Sequence, residues 1–530
     1  MATFARVAAL VAAAVMPILA QAHTDAKFLG SSQDPLSYEL RQQILELARQ
    51  DLRLAASSEE PAPDVDGPIT ALPPPQDLVL DRMNVWLNPT YWSTWVREAL
   101  VNGNVQIPAP TDIVRPEIWT PNVTVEPGSY ISSLPLAIED LSGLTYTWDG
   151  AEKSLLDFMH TTETDMVQFA VNGEVIGALY NNGYQEHTRH QPWSVTKTFI
   201  AATVGIAYDQ GLVRDLQQPI EDYIPELVGT AWEGVTIENI LQMESGVHWD
   251  EDTPVLAQNT QVQQWIDVLL DNATNGALGQ TRNEFLMSLP KVYEQGTEFR
   301  YNSGNTQVLA WMLENIYGRP YNEVISELLW KPMGAYGDAR MIADREGSVI
   351  ASQGLYARGY DFVRFGELLR NKGVNTDGRR VISQEWIDKL TQMTEVSGGG
   401  YAYQTWDSDV SPDAYKASGF QGQKITVVPS ACTTAVRMSH SFGLDYREGD
   451  DPLDPNAYGF STNFSSDEWV AVVQAVVAQR GGCDGATRLA AAEAGQADGS
   501  GGAVGLWAFI LVLITGMARR RPGTPAIQRS

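Results

Sequence analysis

The chain has 530 residues, a formal net charge of −29 from 65 acidic and 36 basic residues, and two cysteines. That charge argues against a nucleic-acid partner, which needs a basic patch. No glycine-rich phosphate loop or dinucleotide signature stands where a strand meets a helix, so no cofactor is implied.

Arg6 precedes an apolar run from Val7 to Leu19, and Ala20-Gln21-Ala22 supplies a small-x-small cleavage pattern. Residues 1–22 therefore read as a signal peptide, a substrate of signal peptidase, with the mature chain starting near His23. Asp34-Pro35 opens a helix with Leu36, Leu40, Ile44 and Leu47 on one face. From Ser57 to Gln76 six prolines among Ser, Glu and Asp make a linker or extended arm. Residues 23–80 are then a helix and linker, and the main domain is expected at 81–485.

Within it, Met166, Gln168 and Ala170 alternate with Val167, Phe169 and Val171, followed by Asn172-Gly173 and a second apolar run to Leu179. Asn-Gly between apolar runs predicts a hairpin, here with both strands buried. Ser194 to Gln210 predicts a helix with Phe199, Ile200, Val204 and Ala207 inward and Gly211 as its stop. Residues 212–347 read as mostly helical, including Ile237–Met243, Gln261–Asp271 and Gly304–Tyr317, with a further helix at Tyr360–Asn371. Ile425–Val428 and Thr433–Met438 predict strands around Pro429-Ser430, and Asp467–Gln479 an amphipathic helix. Strands on both sides of a helical insert predict an α/β (α+β) fold, one antiparallel sheet flanked by helices with a large helical lobe.

After a linker at 486–502 that ends in Gly499-Ser500-Gly501-Gly502, an apolar stretch runs from Ala503 to Ala518. At about 16 residues it lies near the lower limit for crossing a bilayer. Arg519, Arg520 and Arg521 would hold the tail, 519–530, on the cytoplasmic side. Glycines, short segment and arginine cluster together resemble a bacterial GlyGly-type sorting tail. The resemblance implies a temporary anchor in the inner membrane that a rhomboid-like intramembrane protease removes; a permanent single-pass anchor is the alternative. Either way the domain is expected in the periplasm or at the cell surface. There a disulfide between Cys432 and Cys483 could persist, and whether it forms is left open by the sequence.

A serine hydroxyl becomes a useful nucleophile when a neighbouring base takes its proton, and a lysine three residues along a helix lies on the same face. The string occurs twice, as Ser194-Val195-Thr196-Lys197 and Ser288-Leu289-Pro290-Lys291. Pro290 biases Leu289 away from helical geometry, which removes the one-turn relation in the second copy. Ser194 instead opens a helix whose free amides and positive dipole end suit a developing oxyanion. His187 and His190 are read as structural or hydrogen-bonding residues, since no further ligands cluster near them. The acidic runs Asp250–Asp252 and Asp450, Asp451, Asp454 are read as solvated loops, because they lack calcium-loop spacing.

Thr188-Arg189-His190 followed by Trp193-Ser194-Val195-Thr196-Lys197 resembles the first active-site motif of the class C β-lactamase and penicillin-binding-protein-like serine hydrolases. The likeness is strongest to the branch with 6-aminohexanoate-dimer hydrolase and related esterases. It continues through Leu212–Leu227, Leu241–Gly246, Phe299–Ser303, Gly354–Gly366 and Gly419–Pro429, with Trp86–Ala99 as an aromatic lead-in. By this resemblance Ser194 and Lys197 are nucleophile and base. Tyr301 relays the proton, its pKa lowered by Lys197, and Ser303 bonds Lys197. The backbone amides of Ser194 and Gln423 form the oxyanion hole, and Gly422 allows close approach of substrate. The family's third motif usually carries lysine or histidine two residues before a glycine. Here Phe420-Gln421-Gly422 lacks that cation, which in β-lactamases helps to bind the substrate carboxylate.

The expected activity is hydrolysis of a small-molecule amide or ester through an acyl-serine. A peptidoglycan D-alanyl carboxypeptidase or β-lactamase, and a catalytically lapsed surface binding protein, are the alternatives.

Overall fold

Short elements come first. Thr70–Ala71 (β1) and Asn122–Val125 (β2) precede a small hairpin, Thr145–Trp148 (β3) and Ala151–Ser154 (β4). Ser154 then starts the helix Leu155–Thr161 (α1) in a reciprocal capping box with Asp157. Thr164–Val171 (β5) and Glu174–Tyr180 (β6) form the expected hairpin. Asn172 and Gly173 turn it at φ 52° and 79°, the positive values a tight two-residue turn demands. This is a computed structural model that describes residues 70–71 and 122–483, apart from 182–183, 252–260, 263, 266–267, 270–277, 345–346, 440–443, 446–458 and 461–464. The signal peptide, the 34–47 helix, Trp86–Ala99, the 486–502 linker, the 503–518 segment and the basic tail fall outside the described residues. No helix among the described residues is long and apolar enough to cross a membrane.

Arg189–His190 (β7) leads into Val195–Asp209 (α2), which is buried without interruption from Val195 to Ala207. The sequence reading gave this helix one inward face. A helix enclosed between two layers must instead be apolar nearly all round, and this one is. The helical lobe follows with Ile237–Leu241 (α3), Arg282–Ser288 (α4) and Ser303–Tyr317 (α5), and the described residues among 261–269 are helical too. Ala339–Ile342 (β8) is a strand inside the stretch read as helical, and Leu355–Arg358 (β9) pairs with it. Both are four residues long and largely buried, so no alternation marks them as strands. The chain continues through Gly359–Arg370 (α6), Gln384–Thr391 (α7), Trp406–Asp407 (β10), Tyr415–Gly419 (β11), Gln423–Val428 (β12), Thr433–Ser439 (β13) and Ser466–Arg480 (α8).

The main sheet has the order β1-β6-β5-β13-β12-β11-β10, and a smaller one the order β2-β8-β9-β7. The main sheet is antiparallel except where β1 adds to its edge beside β6. Strands from both sides of the helical insert therefore complete one sheet, as expected, with β5 registered on β13 from Val171↔Thr433 to Met166↔Met438. The edge strand β1 comes from the proline-rich stretch read as a linker or extended arm.

Alternate side chains of the sheet feed two cores. On one side lie α2 and α6, where Phe199 stacks on Phe365 at 3.6 Å. On the other lie α1 and α8, where Trp469 contacts Phe169 and Phe158, each at 5.8 Å. A Cys432–Cys483 disulfide, spanning 51 residues, ties the chain just after α8 to the turn between β12 and β13. Closing a loop of that length restricts the unfolded chain by an amount worth about 4 kcal/mol. Replacing both cysteines by serine should therefore lower the unfolding free energy by about 2–4 kcal/mol in denaturant titrations, with enzymatic activity retained in the folded fraction.

Candidate active site

Ser194 occupies the N-cap position of α2 and makes no capping bond. A serine there ordinarily accepts from an amide of the first turn. Its hydroxyl oxygen instead lies 2.8 Å from Lys197 Nζ, one turn along. Lys197 is 1% exposed, donates to the Ser352 carbonyl at 3.1 Å, and sits 4.9 Å from the centre of the Tyr301 ring. Burial pushes its amine down to about 8, and the charge of Glu251 opposes that shift. A useful fraction of the lysine is thus neutral near neutral pH, able to accept a proton from the oxygen beside it. The second copy of the string has no such pair. Ser288 ends α4 and donates to Phe285 O, Leu289 is extended at ψ 141°, and Lys291 pairs with Glu294.

Tyr301, just ahead of α5, has its hydroxyl on the side of Ser194 and its ring against the Lys197 amine. Its pKa is not lowered as the sequence reading expected. Burial, and then the Glu251 charge, push it above the ordinary phenol range, so the Tyr301 hydroxyl stays protonated. Ser303 also departs from expectation: it does not reach Lys197. Its hydroxyl donates to Glu251 Oε1 at 2.8 Å and its backbone N–H to Oε2 at 3.0 Å. The cause is the helix start. Asn302 caps α5 by accepting from Asn305 N, which leaves Ser303 in the first turn, where a free amide and the dipole attract a carboxylate. Trp249 Nε1 donates to the same carboxylate at 2.7 Å. Glu251 was missed because it lies in the acidic run read as a solvated loop. Nothing in the local pattern separates its inward turn from its neighbours.

Aromatic rings wall the tyrosine. Trp406 lies 5.5 Å from Tyr301, Tyr401 6.0 Å from it, and Phe299 5.1 Å from Tyr401. Close packing also brings the head of β12 beside the nucleophile segment. A β-carbon on Gly419 would come within 2.2 Å of the Pro192 carbonyl oxygen. One on Gly422, at φ 90°, would lie 2.8 Å from Ser439 Oγ and 2.9 Å from Arg437 Nη1. Trp193 and Gln421 both hold positive φ, 48° and 62°, which side chains seldom adopt without support. The support is mutual: Trp193 Nε1 donates to Gln421 Oε1 at 2.9 Å. Phe420, where the family's cation would stand, meets the Trp193 ring edge-on at 5.6 Å. Behind them the Ser439 hydroxyl donates to Gln421 O, and the Ser439 backbone is clasped by the side chain of Gln423. His190 is buried with Nε2 2.9 Å from Asp165 Oδ2 and Nδ1 3.0 Å from Gln191 O, bracing the turn into Ser194.

A serine oxygen with a dehydrated amine beside it is the working pair of serine hydrolases that cleave amide and ester bonds, and the protein is an enzyme of that class. The beta-lactamase family pattern matches residues 158–458, and the chain belongs to the beta-lactamase family. It is 29% identical over 298 residues to the 6-aminohexanoate-dimer hydrolase of Paenarthrobacter ureafaciens, covering 53% of this chain and 74% of that one. A beta-lactamase of Providencia stuartii is 26% identical over 129 residues, which cover 23% of this chain and 33% of that one. A solved structure from Bacillus anthracis, provisionally assigned as a 6-aminohexanoate-dimer hydrolase, shares the fold at a TM-score of 0.60 and 23% identity, over 70% of this chain and 94% of the other.

The Trp193–Gln421 bond joins the segment before Ser194 to the one before Gln423. Trp193→Phe keeps a ring against Phe420 but strands the amide oxygen. Losing one such bond, at about 1 kcal/mol, should lower kcat on an ester substrate about five- to tenfold while KM stays within about twofold. Steady-state kinetics of the folded variant check this.

Proposed function

We propose that the protein hydrolyses neutral amides or esters through an acyl-enzyme on Ser194. The observation that carries the reading is the 2.8 Å contact between Ser194 Oγ and a lysine amine held at about 8 by burial. The Ser194 oxygen attacks the substrate carbonyl while Lys197 takes its proton. The amides of Ser194 and Gln423 hold the negative oxygen of the tetrahedral intermediate. Tyr301 gives its proton to the departing amine or alcohol and regains one from Lys197. Water then enters along the same relay in reverse and releases the acid. Glu251 positions Ser303 beside the relay and limits how far the Lys197 amine falls.

Phe420 favours substrates without a carboxylate beside the scissile bond, because it places a ring where other members carry a cation. The kinship with 6-aminohexanoate-dimer hydrolase favours linear amides among them. The same proposal places the enzyme outside the cytoplasm, cut by signal peptidase after residue 22 and held at least for a time by the 503–518 segment until a rhomboid-like protease acts. The Cys432–Cys483 bridge supports an oxidising compartment.

The test is a panel of p-nitrophenyl esters, linear amides, D-amino-acid peptides and a chromogenic cephalosporin, with Ser194→Ala as control. Esters or linear amides should be the best substrates and the cephalosporin poor. Full turnover by Ser194→Ala would overturn the mechanism, and release of D-alanine as the preferred reaction would overturn the substrate class.

The base must be neutral to work, so kcat/KM should rise with pH along a limb centred near 8 and fall about tenfold per unit below it. Glu251→Gln removes a charge that favours the ammonium, so the limb should move to lower pH. A limb that stays in place or moves up would contradict the placement of Glu251.

A further inference from the structure

The main sheet carries a second serine–lysine pair. Ser418 on β11 and Lys424 on β12 are directly paired across the strands, and Lys424 Nζ lies 2.8 Å from Ser418 Oγ. That separation equals the one between Lys197 and Ser194. The two pairs belong to opposite faces. Ile425 and Val427 join the core that holds α2, whereas Lys424 shares its side of β12 with Thr426, which accepts a bond from Trp469 Nε1 of α8 at 3.1 Å.

Lys424 is 3% exposed and Ser418 half-buried. Among the described residues, Ser418 Oγ is the one hydrogen-bond partner of the Lys424 amine. An ammonium in that place would keep two donors unmade, and the guanidinium of Arg437, the cross-strand neighbour of Lys424 on β13, would repel it. A neutral amine has neither problem, and its lone pair accepts the Ser418 hydroxyl. Burial, then the charges of Arg437 and Lys416, drive the lysine well below its ordinary range, with Asp467 pulling weakly the other way. Ser418 therefore meets the same physical conditions as Ser194, a hydroxyl beside a dehydrated amine, on the face of the sheet turned away from α2.

The geometry points to Ser418 and Lys424 as a second nucleophilic site, at which Ser418 is acylated by small activated esters. Lys424 takes the proton of Ser418 as its oxygen bonds to the acyl carbon. The bond from that carbon to the leaving alkoxide or phenolate breaks, and the leaving group receives the proton from Lys424. The product is an O-acyl serine and a free alcohol or phenol.

The test uses the full chain carrying Ser194→Ala, so that the hydrolytic serine is silent. The protein is incubated with p-nitrophenyl acetate, then examined by intact mass and peptide mapping. One acyl group should map to Ser418 and vanish in Ser194→Ala/Ser418→Ala. Lys424→Met should slow it by about a hundredfold, the usual scale of a general base. Because Lys424 is in the core, a second comparison needs no change there: unfolding Ser194→Ala in guanidinium should bring Ser418 down to the labelling rate of the other serines. Absence of an adduct on Ser418, equal labelling in folded and unfolded protein, or undiminished labelling in folded Lys424→Met would each overturn the proposal. Ser418→Ala alone should keep normal ester turnover, so failure here leaves the reading of Ser194 intact.

Discussion

Taking a lysine amine out of water is the constraint on which the site depends. An ammonium loses several kcal/mol of hydration on burial, and one carbonyl and one hydroxyl do not restore it. Lys197 meets the deficit by giving up its proton readily, which leaves the amine able to accept one. The architecture follows from the need to keep it dry. α2 has to be enclosed on all sides, with the main sheet against one flank and the helical lobe against the other. Ser194 at its N-cap position does not serve as a cap, because the capping oxygen is committed to the amine. A local rule of helix formation is broken at the point where the chemistry is expected.

The features that could be read in the sequence are those in which local pattern and tertiary role agree. Asn172-Gly173 forces the hairpin whatever surrounds it, and the Ser194–Lys197 spacing places both side chains on one turn of helix. Pro290 equally marks the second copy as inert. What escaped detection depends on partners distant in the chain. Glu251 is one acid among three in a row, and its role appears only when the start of α5 arrives beside it. Ser303 was assigned to Lys197 by family likeness, and the same carboxylate diverts it. Strand β8 carries no alternation because both its faces are largely covered. Gln421 had no distinguishing mark until Trp193, more than two hundred residues earlier, lay against it.

The third motif shows how a charge can be exchanged for packing without dismantling the strand that bears it. Phe420 turns its ring toward Trp193, while Gln421, Gly422 and Ser439 keep the strand pressed to the nucleophile segment. Backbone placement and the side chain carried at position 420 are thus separable features of one short stretch.

The disulfide has a mechanical meaning as well. A pull on the chain beyond Cys483 would enter the domain at a covalent link to Cys432, in a turn whose carbonyl is bonded to the amide of Asn172. The load would spread into β5, β12 and β13 along their length instead of peeling α8 from the sheet one turn at a time. Any tether attached on that side could therefore be tugged, bent or cut while the serine and its lysine stay in register.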